Sequence, residues 1–433
     1  MSSDRETCNS RHITWLMKSC FPCPHDTSTP TTTTTTTIIS TTKPSHLQAS
    51  FPTHATTISS LPDDIVLDCL SRVPSSSLPQ LSIVCRRWSR LLTSPHFLDL
   101  RRSHSLLRHT TVAISATDSG FSVATLENTS WNSSSLFLPD PNHTVSFDDY
   151  YYSLLSHARV VSIGPRIYVV GRNATMRCDT WTSTVTSCCA MTFPRKKFAM
   201  ATVAGKIYVA SGGSRTDAVE EYDPVSDRWS VVAHAPRRRY GCVGASVDGV
   251  FYIIGGLRIG ASEQNEFSSQ AAGGAGAHAA YASSMDLFDV EGRVWLRSRA
   301  VPGGGCVVAA CAAAGRVYAL TSHAVEISLW SFDARRRSSD KGGSLSSFGS
   351  GEWCRIKSPP LPAQVRVDTR MRFSCVGMGD KVVLIQVPGC GNEGRRSSKE
   401  GFVMVYDCNT GEWSRGADLP ECFRRAAYVG VEC

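Results

Sequence analysis

Gly205-Lys206-Ile207-Tyr208-Val209-Ala210-Ser211-Gly212-Gly213 decides the fold. A short apolar run leaves a glycine turn and stops at a glycine pair, which suits positive φ or close backbone approach at a strand end. The phrase returns as Gly249-Val250-Phe251-Tyr252 with Gly255-Gly256, and in weaker form as Arg166-Ile167-Tyr168, Gly315-Arg316-Val317-Tyr318 and Asp380-Lys381-Val382-Val383. Its final positions (168, 208, 252, 318, 383) are spaced by 40, 44, 66 and 65, so a unit near 40–45 residues recurs and two longer units carry insertions. An aromatic-acid pair follows in each later unit (Tyr222-Asp223, Phe288-Asp289, Phe332-Asp333, Tyr406-Asp407), then a tryptophan (Trp229, Trp295, Trp353, Trp413), then a proline, often with arginine, as in Pro194-Arg195 and Pro236-Arg237. Units of a few strands at fixed period cannot bury both faces alone. They predict a mainly β fold, a β-propeller whose blades pack around an axis. Residues 110–142, with Trp131, read as a further divergent blade, giving about six, and the last strand, Ala426 to Val431, is expected to complete the first. In the first clear repeat, Gly171 stands alone and Cys188 is expected at the tryptophan position.

Residues 59–103 have a different period. Ser60-Leu61-Pro62-Asp63 has capping-box spacing, with proline and acids suited to a first helical turn. Ile65, Val66, Cys69 and Leu70 are expected on one helical face. Leu81, Val84, Cys85, Trp88, Leu91 and Leu92 give a second stripe, expected as one amphipathic helix that Ser94-Pro95 ends. A block of about 45 residues has a marginal core and gains by docking to something.

Residues 1–57 are poor in core formers and include the run Thr31 to Thr37, so this leader is expected to be disordered. The 433-residue chain is 42% hydrophobic and 19% charged, as a folded protein with a large core should be. No apolar run approaches the roughly 20 residues of a membrane span. Met1 to Cys20 lacks an apolar signal core and carries Asp4 and Glu6, so an intracellular location, cytoplasm and/or nucleus, is expected. The 17 cysteines then read as small buried hydrophobes, such as Cys242 and Cys311, rather than a disulfide framework. Cys20-Phe-Pro-Cys23 has no second pair at zinc-finger distance, so neither metal nor cofactor is expected. The net charge of +8 is too mild for a nucleic-acid signature, and no nucleic-acid or membrane partner is expected. Short basic clusters such as Arg195-Lys196-Lys197 and Arg237-Arg238-Arg239 read either as solvated loops or as a rim that attracts an acidic partner.

The repeated phrase with its glycine pair, aromatic-acid pair and tryptophan resembles the kelch repeat. The helical block, with Leu61-Pro62-Asp63-Asp64, Ile65, Leu70, Val84-Cys85-Arg86-Arg87-Trp88, Leu91 and Phe97-Leu98, resembles the F-box. Together these cover roughly 59–433 and are most similar to the plant family of F-box/kelch proteins. The resemblance implies an all-α F-box over 59–103 and a kelch-type β-propeller over 108–433, behind the disordered leader of 1–57 that composition predicts. It also implies a non-catalytic adaptor. The F-box would dock a Skp-type adaptor, and through it a cullin and a RING subunit, while the propeller holds the protein to be ubiquitinated. Leu61, Pro62, Ile65, Leu70, Val84 and Trp88 are the expected adaptor contacts, with the F-box's own core as their other reading. Arg195, Arg237, Arg238, Arg239, Arg424 and Arg425 are the expected contacts on the propeller face, beside the insertions Arg258–Ser284 and Gly389–Glu400, for an acidic or acid-flanked segment. Family analogy leans toward a phenylpropanoid or flavonoid enzyme as target. The alternative is a kelch scaffold that binds partners outside a cullin complex. The kelch fold also occurs in copper radical oxidases, but few of the 12 histidines fall at strand ends of the repeats, and no Walker, HExxH or GxSxG constellation appears.

Overall fold

A computed structural model describes residues 58–117, 120–127, 130–137, 158–213, 216–258, 281–323, 326–333, 351–361, 372–387, 401–424 and 426–433. The leader, Arg425 and most of the insertions expected at 258–284 and 389–400 lie outside the described residues. The chain divides after His104 into two compact units.

The first unit is built from short helices: α1 (Asp63–Ser71), α2 (Leu78–Ser82), α3 (Arg86–Leu92) and α4 (Pro95–Ser103). Ser60 does not cap α1 as its spacing suggested, because it belongs to a preceding 3-10 turn, Ile58–Ser60. Pro62 occupies the N-cap instead, and Asp63 and Asp64 place negative charge on the first turn, where the helix dipole favours it. The expected single helix from Leu81 to Leu92 is broken. Cys85 is extended (φ −160°, ψ 161°) and caps α3, so α2 ends at Ser82 and Ile83 is left 70% exposed. At α4, Ser94 accepts a hydrogen bond from the Phe97 amide at 3.2 Å, and Pro95 sits in the first turn. Arg101 is fully buried and donates to the Ser71 and Val73 carbonyls at 3.1 and 2.7 Å. It thereby satisfies carbonyls that the end of α1 leaves without helical partners.

The second unit is a six-bladed propeller. From blade 2 onward the inner strands are Arg159–Ile163, Ala199–Val203, Val243–Val247, Cys306–Ala313 and Arg372–Met378, each starting a four-stranded antiparallel sheet. Blade 1 is closed differently. Its inner strand is the last of the chain, Ala427–Glu432, paired antiparallel with His109–Thr117, which continues through Gly120–Glu127 to Ser130–Phe137. Neighbouring inner strands approach closely, so their facing positions are small. Ser246 donates from Oγ to the Thr202 carbonyl at 2.7 Å, and Ser162 does the same to the Gly430 carbonyl. A Cβ on Gly377 would meet the Ala312 carbonyl at 1.8 Å, and one on Gly430 the Gly377 carbonyl at 2.1 Å.

The outer edges are latched by tryptophan. Trp131, Trp229, Trp295 and Trp413 donate from Nε1 to the carbonyls of Ala417, Cys189, His234 and Lys357, each at the outer end of the preceding blade, over 3.1, 2.9, 2.7 and 2.7 Å. Each latch packs on its cross-strand partner; the ring centroids of Tyr222–Trp229 and Phe288–Trp295 are 5.1 and 5.0 Å apart. The tyrosine of the repeated phrase reaches the next blade's aromatic, as in Tyr168–Tyr222 at 5.9 Å and Tyr252–Phe332 at 6.2 Å. In blade 2, Cys188 is not the displaced tryptophan. The register pairs Cys178 with Val185 where blade 3 pairs Tyr222 with Trp229, so an apolar pair replaces the aromatic one. Counting along the sequence misses this because blades 2 and 3 are offset by 40 residues at Tyr168 and Tyr208 but by 44 at Asp179 and Asp223.

Removal of residues 427–433 should lower the melting temperature and replace the sharp thermal transition with a broad one, since blade 1 would lose its inner strand and the ring would open. Circular dichroism melting of the truncated and full chains measures this directly.

Candidate functional site

Each of the two units sets up a surface of its own. On the helical unit, Arg87 ties the start of α1 to α3: Nε donates to Asp63 Oδ1 at 2.7 Å, and Nη2 donates to the Leu61 carbonyl. Arg90 adds a 3.4 Å ion pair to the other Asp63 oxygen. These pairs are partly exposed and contribute at most about 1 kcal/mol each, but they fix where Leu61 and Pro62 point. Pro62 is exposed, Ile65 is 46% exposed, and Leu61 and Val84 are half-buried. Leu70 and Trp88, also named as contacts from the sequence, are instead buried in the unit's own core with Val66, Leu67, Leu78, Leu81, Leu91, Leu92 and Phe97. The buried face of α1 is Val66, Leu67, Leu70 and Ser71, not the expected face, which also held Ile65 and Cys69. The rotation turns Ile65 outward. Ile83 is an exposed apolar residue that the sequence reading passed over, because it was counted within a continuous helix; the helix break is what exposes it.

On the propeller, the loops entering the inner strands carry the named arginines. Arg195 and Arg239 are fully buried and are not open to a ligand. Arg195 pairs with Glu220 at 2.8 Å and donates to the Ser211 and Ala218 carbonyls at 3.0 and 2.7 Å. Arg239 pairs with Asp286 at 2.8 Å and donates to the Gly255 carbonyl, also at 2.8 Å. Each arginine thus locks the glycine-pair turn onto the third strand of its own blade. Burial pulls the Arg195 guanidinium below its ordinary range, and the Glu220 pair opposes that pull. The sequence could not distinguish such an internal clamp from a solvated loop arginine, because the acid partners are 25 and 47 residues away.

The other arginines are largely matched as well. Arg237 meets Asp286 at 3.2 Å and covers the Tyr281 ring at 5.5 Å. Arg424 meets Glu421 at 3.2 Å. Arg238 is exposed and lies in the field of Asp217, whose carboxyl is held below its usual range chiefly by the His234 hydrogen bond, with a smaller pull from Arg238. The rim is therefore less free in positive charge than the sequence suggests.

The clamp position is filled in three chemical ways. Seven residues before the seam positions Thr202, Ser246, Ala312 and Gly430 stand Arg195, Arg239, Gly305 and Phe423. On the third strand, three residues before its terminal acid, stand Glu220, Asp286, Trp330 and Ala124 respectively. Blade 1 thus uses the apolar pair Phe423 and Ala124, both fully buried, where blade 3 uses an ion pair. Removing one member of a buried ion pair typically costs about 3–5 kcal/mol, whereas an apolar replacement of both can be neutral. Glu220→Ala should therefore lower the urea midpoint strongly, and Arg195→Phe/Glu220→Ala, the blade 1 solution, should recover most of the loss in the same titration.

Comparison with known proteins agrees with this architecture. The F-box domain family matches residues 58–100 and the Kelch motif family matches residues 194–236. The chain is 55% identical to F-box/kelch-repeat protein At5g26960 of Arabidopsis thaliana over 99% of both chains. It is 26% identical to F-box/kelch-repeat protein At1g67480 of the same plant, over 46% of this chain and 54% of that one. A sheet of strands closed by the chain's own end, an F-box-type helical unit, and a relative matched from end to end converge on one assignment: the chain belongs to the F-box/kelch-repeat family, whose members are substrate adaptors.

Proposed function

We propose that this protein is the substrate-recognition subunit of a Skp–cullin–F-box ubiquitin ligase. The observation that carries the reading is the outward apolar set on the helical unit: Pro62, Ile65 and Ile83, flanked by half-buried Leu61 and Val84. A unit this small leaves large apolar side chains in water unless a partner covers them, and burying an isoleucine contributes about 1.5–3 kcal/mol. The expected partner is a Skp-type adaptor, which brings the cullin and the RING subunit. Leu70 and Trp88 support this surface from the core rather than touching the partner.

The propeller has the complementary task of holding the protein to be modified. The chemistry belongs to the ubiquitin-charged enzyme, and this chain supplies proximity: a held target meets the donor at a high effective concentration. Enzymes of phenylpropanoid or flavonoid synthesis are the first targets to try, on family analogy. Among the described residues no helix is long and apolar enough to cross a membrane, so nothing in them conflicts with action in the cytoplasm or nucleus.

Co-purification with a Skp-type adaptor tests the proposal. Leu61→Ala/Pro62→Ala and Ile65→Asp/Ile83→Asp should both lose adaptor and cullin while retaining the wild-type melting temperature of the propeller. Trp88→Ala should lose them by unfolding the helical unit, a change of about 3–5 kcal/mol for a large buried aromatic. If the wild-type chain is folded and captures no adaptor, a scaffold acting outside a cullin complex becomes the better account.

A further inference from the structure

Arg159 opens the inner strand of blade 2, on the rim where the inner strands begin. Its side chain spans the next two blades. Nε donates to the Phe198 carbonyl and Nη2 to the Cys242 carbonyl, both at 3.0 Å. Phe198 and Cys242 immediately precede the inner strands of blades 3 and 4, so three blades hold one guanidinium in a fixed position.

This arginine differs from Arg195 and Arg239 in one respect. Those two are sealed and neutralised by Glu220 and Asp286. Among the described residues Arg159 is bonded only to neutral carbonyls, and no carboxylate pairs with it. Burial lowers its pKa, and among the described residues Cys242 opposes that pull. It is nonetheless not sealed, since the residue retains intermediate exposure, and the described residues provide no acceptor for Nη1. A desolvated cation without a counter-charge is costly, and an anion arriving at its open edge relieves that cost. Lys197, next to Phe198, supplies a second cation on the same rim. It is exposed, its Nζ lies 5.5 Å from the centroid of the Tyr240 ring, and its carbonyl accepts from the Gly241 amide at 2.9 Å.

We propose that Arg159, with Lys197 as an outer second cation, is the anchor of the propeller rim for a carboxylate carried by an acidic segment of the bound protein. The proposal rests on the reading that the propeller holds a partner, and it names the chemistry of that contact. One unpaired guanidinium edge matches one carboxylate. The neighbouring Arg195 and Arg239 are already committed to Glu220 and Asp286. Preorganisation is built in, since two carbonyls already hold the guanidinium.

The test uses the full chain and three labelled, end-capped peptides: hexaglutamate, hexaglutamine and hexaphosphoserine, followed by fluorescence anisotropy at low salt. Wild type should bind hexaglutamate in preference to both others. Arg159→Gln should weaken hexaglutamate about tenfold, as expected for loss of a charged hydrogen bond. Lys197→Gln should weaken it less, and Arg237→Gln, whose charge already meets Asp286, less again. Arg159→Lys should recover part of the binding, which separates lost charge from lost folding if Arg159→Gln melts early. Equal affinity for hexaglutamate and hexaglutamine, equal losses in Arg159→Gln and Arg237→Gln, or a preference for hexaphosphoserine would each overturn the proposal. Capture of the Skp-type adaptor, measured on the same variants, reports on the ligase reading separately.

Discussion

The pairing of Ala427–Glu432 with His109–Thr117 is the constraint on which the propeller depends. Without it, blade 1 has three strands and an open inner edge, and the inner strands of blades 6 and 2 face a gap. With it, the ends of the unit are joined by a ladder in which His109 stands opposite Glu432. Closure also explains the residues at the seam. Six inner strands converging on one axis leave space for serine, threonine, alanine or glycine, and Gly377 and Gly430 stand where even a methyl group would strike a neighbouring carbonyl. The outer edges have more room, and in blades 1, 3, 4 and 6 they are filled by tryptophans that donate to the preceding blade.

A closed ring makes a fixed platform, and its chemistry is set by which charges are spent internally. Arg195 and Arg239 are structural, each holding its own blade's turn against its third strand. Their counterparts in blades 1 and 5 show that the same corner can be filled without charge, by Phe423 with Ala124 or by Gly305 with Trp330. The ion pairs are therefore one solution to a packing problem rather than a sign of a binding surface. What is left available is a smaller and more specific set, with Arg159 held by carbonyls of two other blades.

The sequence reveals periodicity well and sidedness poorly. The repeated phrase ending at Tyr168, Tyr208, Tyr252 and Tyr318 places the strands, because a period-two pattern with glycine punctuation has few other solutions. The closing strand was legible for the same reason: Ala426 to Val431 alternates and had no blade of its own. Sidedness failed at α1, where Ile65 and Cys69, expected on the inward face, are exposed and Leu67 is buried. A nine-residue helix carries apolar residues around most of its circumference, so its spacing does not choose a face. Sidedness failed again for the arginines. Proline-arginine beside a loop reads as exposed, whereas the acids that bury Arg195 and Arg239 come from third strands far along the chain. Arg159 carried no sequence signal, since its significance lies in acceptors 39 and 83 residues away.

The two surfaces together describe an adaptor. The helical unit exposes a few apolar side chains around Leu61 and Pro62, held in place by Arg87, and the propeller offers a rigid rim. The most direct measurement is ubiquitin transfer in a reconstituted reaction containing Skp-type adaptor, cullin, RING subunit and a protein captured by the propeller. Wild-type chain should support ubiquitin chains on the captured protein, and Ile65→Asp/Ile83→Asp should hold that protein equally well and leave it unmodified. Equal modification by both chains, or capture by wild type with no ubiquitin linkage in the complete reaction, would contradict the account.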